Sequence, residues 1–196
     1  MDRSRIRGGV TKALPFVAGI ALSSALIVQA TTAAFTGATS NSSNAWSSAN
    51  VTLVDDDSGT AMFNATDMVP GDTETACIKV TYNGGDVALD PVQLYSSVTD
   101  TGLAAHLDLT IEEGTGGAFS GCTGFTPNAG PALYTGTLAN LGTSNGTYAT
   151  GLDAFTPTTV SNNRTYRISA TLGTDTPNSA QGSGAGAGFT WEVHSS

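Results

Sequence analysis

Strict alternation of apolar and polar residues narrows the fold of this chain more than any other feature. Tyr166, Ile168, Ala170 and Leu172 interleave with Thr165, Arg167, Ser169 and Thr171. Successive strand residues point to opposite sides, so such a run builds a strand with one apolar and one polar face. The period recurs where Leu107, Leu109 and Ile111 face away from Asp108, Thr110 and Glu112, and where Ile78, Val80 and Tyr82 oppose Cys77, Lys79 and Thr81. It recurs again in Val92, Leu94 and Val98, and in Phe189, Trp191 and Val193 against Thr190, Glu192 and His194. Turn formers separate these runs at Asp55-Asp56-Asp57-Ser58-Gly59, Pro70-Gly71-Asp72, Asn83-Gly84-Gly85 and Asp100-Thr101-Gly102. Short alternating strands punctuated in this way predict an all-β, antiparallel sandwich with Ile168 and Trp191 in its core.

The finer reading follows the same rules. Asn50 to Val54 is expected as a first strand, answered across the acidic turn by Thr60 to Phe63. Leu138-Ala139-Asn140-Leu141 is the one helical candidate, about a single turn long. Thr176 to Gly188 lacks apolar bulk and is expected to be a flexible surface loop. No Lys or Arg accompanies it and no helix start follows, which excludes a phosphate cradle. Gly114 to Gly117 and Gly142 to Gly146 read as hairpin or loop punctuation.

Ahead of the strands stands a segment of another kind. Arg3, Arg5, Arg7 and Lys12 outweigh Asp2, and an apolar run from Ala13 to Val28 follows. That run is shorter than the roughly 20 residues a bilayer span requires. A basic head, a short apolar run and small residues after it predict a cleavable signal peptide over 1–34. Two sites satisfy the small-residue rule: after Ala30, or between Ala34 and Phe35. The alternative is an uncleaved leader, the one route by which this chain would touch a membrane. The expected organisation is thus signal peptide 1–34, a polar arm 35–49 whose sole large side chain after Phe35 is Trp46, and a β-sandwich domain 50–196.

Removing 1–34 leaves Lys79, Arg164 and Arg167 as the only Lys or Arg, against fifteen of the sixteen carboxylates. The net charge moves from −9 to about −12. Such a surface repels nucleic acid, because nothing on it neutralises phosphates. Cys77 and Cys122 are the two cysteines of a chain expected to be exported, where oxidation persists, and they are best read as one disulfide. Separate buried thiols and intermolecular bridges are the alternatives. Closing that loop is worth about 4 kcal/mol in the chain-entropy model.

Candidate chemistry is sparse. A zinc hydrolase needs about three ligands and a carboxylate base, and the only set in reach is His106 with Glu112 and Glu113; the second histidine, His194, stands apart. No Gly-x-Ser-x-Gly elbow exists for serine chemistry. Asp55, Asp56 and Asp57 invite a cation, but the sixth and twelfth loop positions hold Thr60 and Thr66 where an EF-hand needs Gly and Glu. Neither cofactor nor catalytic residue is therefore expected, and the acidic run reads as a solvated turn. Tyr95, Tyr134 and Tyr148 are aromatic candidates for a binding face.

The leader ending in Ala33-Ala34-Phe35, the turn Met68-Val69-Pro70-Gly71-Asp72, the strand Cys77-Ile78-Lys79-Val80-Thr81-Tyr82 with its Asn83-Gly84-Gly85 end, and the closing Phe189-Thr190-Trp191-Glu192 together resemble the TasA and camelysin family, in an actinobacteria-like form. The resemblance implies a jelly-roll-like sandwich, secreted after processing by a dedicated signal peptidase. It also implies a cell-surface or biofilm-matrix subunit that assembles with itself, its mature N-terminus acting as donor strand in a neighbour. Phe35 and Trp46 would then be the anchors. The lack here of Lys-rich, longer insertions bears on self-assembly more than on fold. The family's peptidase label implies the alternative of a secreted metallo-endopeptidase, and an extracellular binding module is a third reading of the same fold class.

Overall fold

A computed structural model describes residues 51–196. Nine strands form along these residues: β1 (Leu53–Asp55), β2 (Thr73–Tyr82), β3 (Gln93–Asp100), β4 (Leu107–Thr115), β5 (Thr126–Pro127), β6 (Tyr134–Thr137), β7 (Leu152–Asp153), β8 (Asn163–Leu172) and β9 (Ala185–Glu192). One helix, α1 (Leu138–Ser144), joins them, its Thr137 Oγ1 accepting the Asn140 N–H at 3.2 Å. All strand pairs are antiparallel, so the all-β expectation holds. The signal peptide, the Ala34–Phe35 cleavage site, the arm and its anchors Phe35 and Trp46 lie outside the described residues.

The cleanest alternation sits at the centre of the larger sheet, whose order is β1-β2-β8-β4-β5 with β6 also on β4. The smaller sheet is β7-β3-β9. Their inner faces meet in a sandwich core: Ile78, Ile111, Tyr166 and Ile168 from one sheet, Leu94 from the other, with Val92 just ahead of β3. Leu138 and Leu141 of α1 close one side of it. Each of these side chains is buried and so contributes about 1.5–3 kcal/mol of transfer free energy.

The outer face of the larger sheet is fastened rather than bare. Cys77, Arg167 and Glu112 lie side by side on β2, β8 and β4. Cys77 is bonded to Cys122, which leaves neither sulfur free. The loop carrying Cys122 folds over this row, with the Arg167 guanidinium 4.7 Å from the centre of the Phe125 ring and its Nε donating to Glu112 at 2.8 Å. Cys77 is on the polar side of its strand yet only 1 % exposed, because the loop covers it.

Four expectations are corrected. Thr60 to Phe63 is not a strand, because β1 pairs with β2 over Val80, Thr81 and Tyr82 and takes that place. Ala185–Gly188 is not loop but the first half of β9, paired with Ser97 to Asp100 of β3, and Ala180 within the same stretch is buried. The Ala-Gly alternation lacks bulk but not period, and ladder hydrogen bonds do not need bulk. Gly142 lies inside α1 rather than in a loop, where its missing side chain lets the helix pack against Val98. Trp191 is half-buried at the sandwich margin, whereas Ile168 is fully enclosed.

Candidate functional site

The sandwich is open along one margin. Among the described residues β9 of the smaller sheet pairs with β3 alone, and in the larger sheet the edge of β2 that faces away from β8 is covered by β1 only at Val80–Tyr82 and has no strand partner over Thr73–Lys79. Residues of both strands, Glu74 and Ile78 of β2 and Ala185 to Trp191 of β9, border one groove. A gap of about 160 Å³ separates Leu53, Val54 and Val80 from Phe189 and Trp191. Next to it lies a larger cavity of about 520 Å³, walled by Ala185, Ala187 and Phe189 on one side and by Ile78, Leu107 and Leu109 on the other. An edge strand carries unpaired N–H and C=O groups, so a groove between two edges offers both main-chain bonds and apolar pockets.

Side-chain size along β9 sets the groove's shape. Ala185, Ala187, Phe189 and Trp191 share the inward parity, and the two alanines leave room that larger residues would fill. Trp191 lines both cavities, and its buried indole N–H has no acceptor among the described residues. Asp55, Asp57 and Glu74 rim the mouth. Sequence reasoning missed this margin, although the unbroken odd-numbered parity from Ala185 to Trp191 was the signal that could have found it.

The acidic triplet is put to separate uses. Asp56 spans two elements, one carboxylate oxygen accepting the Lys79 N–H at 2.8 Å and the other the Phe119 N–H at 2.9 Å. It thereby takes over the β2 ladder where β1 stops and pins the disulfide loop beside it. Asp57 accepts the Gly59 N–H at 2.6 Å and makes the turn. The Asp55 carboxyl is held above the ordinary aspartate range, first by loss of water and next by its hydrogen bond with Asp57.

His106 does not meet Glu112 or Glu113. Six positions of extended chain, about 20 Å, separate it from Glu112 along β4, and both carboxylates are engaged elsewhere. Glu112 pairs with Arg167 at 2.6 Å. Glu113 accepts from Asn128 at 2.8 Å and from the Tyr166 hydroxyl at 3.2 Å, and burial raises its pKa. Among the described residues no group of three or more His, Cys, Asp or Glu gathers for a metal ion.

Two of the three tyrosines come together. On the outer face of the smaller sheet the Tyr95 hydroxyl donates to Glu192 at 2.7 Å, Glu192 meets His194 Nε2 at 2.8 Å, and His194 stacks on Tyr148 with ring centres 3.9 Å apart. Bonding by Tyr95 and then by His194 lowers the Glu192 pKa. Tyr134 stands apart, donating to the Thr137 carbonyl at 2.8 Å. No helix among the described residues is long and apolar enough to cross a membrane. No protein-family model matches the chain, and no curated protein matches it either.

Proposed function

We propose that this is an exported, cell-surface or matrix protein of TasA type, a jelly-roll-like subunit that assembles by lending residues from Phe35 onward to the open margin of a neighbour. The observation that carries the proposal is the pair of free strand edges with an apolar groove between them. A strand added along the eight residues of β9 would run about 26 Å. The arm is long enough, and it suits the groove in charge. Residues 35–50 contain no Asp or Glu, in a chain that otherwise abounds in them, so the arm meets no like charge at the rim of Asp55, Asp57 and Glu74. Cleavage before Phe35 would add an α-ammonium at its tip. The Cys77–Cys122 bond fits export into an oxidising compartment.

Phe35 and Trp46 are eleven positions apart, so one regular strand turns them to opposite faces. Extended, that separation is about 36 Å, longer than β9. One of the two enters the groove, and the other stays outside it. The test is assembly of residues 35–196 followed by negative-stain microscopy, beside a chain lacking 35–46 and the variants Phe35→Ala and Trp46→Ala. Filaments from the full mature chain, lost on truncation and on only one of the two substitutions, are the expected result. A mature chain that stays monomeric at high concentration, and a truncated one that binds no synthetic arm peptide, sink the reading.

The binding-module alternative rests on the Tyr95, Glu192, His194 and Tyr148 face, which has polar and aromatic groups side by side. The metallo-endopeptidase alternative draws no support from His106 and Glu112, which six positions of extended chain hold apart. A casein assay with and without zinc, repeated on His106→Ala and His194→Ala, tests it directly.

A further inference from the structure

We infer that the segment from Ala61 to Met68 is a placeholder strap, which covers the strand-accepting groove in the free subunit and leaves it when an arm enters. The inference rests on the assembly reading above and concerns its regulation. The segment lies against the cavity through Met62, Phe63 and Met68, which are half-buried and packed on the core, while Ala61, Asn64, Ala65, Thr66 and Asp67 are exposed. Across those eight residues no main-chain N–H or C=O bonds to another described residue. Among the described residues the strap is thus held by three side chains and by no ladder. Native segments with few buried contacts and solvent-exposed main chain sit at the low end of local opening free energy.

Both ends of the strap carry hinge geometry. Ser58 (φ 54°) and Gly59 (φ 77°) precede it, and Asp67 (φ 58°) closes it just before Gly71 (φ 99°). Hinges are formed by a few loop residues of this kind at the ends of a moving segment, which absorb its change in φ and ψ. The fit is also incomplete, since about 520 Å³ stays empty beside the strap, next to Ala185 and Ala187. Interiors pack with few voids larger than a water molecule. A true strand would gain both the missing apolar contacts and the unused β9 edge bonds, so it replaces the strap at a net gain. Until then the strap masks an edge that would otherwise pair indiscriminately.

An occluded site lowers apparent affinity by the fraction of time it is open. The experiment uses the oxidised protein lacking residues 1–46, a synthetic peptide of residues 35–46, and the double variant Met62→Ser with Phe63→Ser. The variant is expected to bind the peptide on the order of tenfold tighter or more, equivalent to about 1.4 kcal/mol per tenfold. In the parent protein, saturating peptide is expected to speed chymotryptic cleavage after Phe63, read by mass spectrometry. That second arm stands by itself if the double variant does not fold. Binding only by the variant also supports the strap, because the wild-type segment then outcompetes the peptide. Peptide binding to the parent with Phe63 no more cleavable than before overturns the strap and leaves the assembly reading standing. No binding by either protein overturns both.

Discussion

The rings of Tyr166 and Trp191 meet across the two sheets, their centres 5.2 Å apart and their planes inclined by 43°. Tyr166 is fully buried at the centre of the larger sheet, while Trp191 stands half-buried on the free strand of the smaller one. The contact therefore ties a central strand of the larger sheet to an edge strand of the smaller one. Ile168→Ala, deep beside Tyr166, is expected to cost about 2–5 kcal/mol, and Trp191→Ala about 3 kcal/mol, the low end for its type because part of the indole is already wet. Urea midpoints decide it. Unchanged midpoints in both variants would mean the strand faces are assigned the wrong way round.

The Cys77–Cys122 bond closes a loop of 45 positions across β8. Cys77→Ala or Cys122→Ala is expected to lower stability by about 2–5 kcal/mol. Intact mass after alkylation without reductant is the check, and two alkylated thiols on the native protein would refute the bond.

Asp56 adds to the disulfide a second tie between β2 and the loop that carries Cys122. Asp56→Ala strands the Lys79 and Phe119 amides and is expected to cost about 1–3 kcal/mol, with Asp56→Asn recovering part of it. Asp57→Ala, which loses only a turn bond, should cost less. Equal losses for the two alanine variants would show that the double bond has no special weight.

Asp100 accepts the N–H groups of Ala104, Gly102 and Leu103 at 2.9, 2.8 and 2.7 Å, and these bonds, that from Ala104 first, hold its pKa below the ordinary aspartate value. The folded value is the lower one. Its stabilisation is therefore present above the ordinary aspartate range and is lost as the pH falls through the folded pKa. Glu113, raised by burial, acts in the opposite sense. The difference in urea midpoint between wild type and Asp100→Asn is expected to shrink on acidification through that window. A difference that stays constant with pH would contradict it.

Gly142→Ala sets two effects against each other. In an exposed helix it would gain about 1 kcal/mol. Here the new Cβ would come within 2.6 Å of Val98 Cγ2 and 2.9 Å of its Cβ, so overpacking wins and a loss of about 1–3 kcal/mol is expected. A raised melting temperature would show that α1 and β3 separate more easily than their packing implies.

How much of this was legible beforehand depends on the kind of interaction involved. Wherever a strand had one face in the core, as in β4 and β8, the period of two revealed it, because burial itself imposes the pattern. The disulfide was readable from a count of two. The Ala-Gly half of β9 was missed, since composition was weighed over parity and main-chain pairing leaves no mark on side-chain type. Asp56 was seen as one of three acidic residues, yet its partners are amides 23 and 63 positions away, which no local pattern encodes. The open margin was hidden for a deeper reason. A groove is defined by which strands lack neighbours, and that is a property of topology.

The covalent bridge over β8 also has a mechanical meaning. A molecule loaded from its two ends transmits force through the Cys77–Cys122 bond instead of through the chain between them. About 150 Å of contour, the extended length of 45 residues, is thereby withheld from stretching. Under tension the oxidised protein yields only outside that loop, so reduction would act as a release of slack, lengthening a loaded molecule by far more than its folded width.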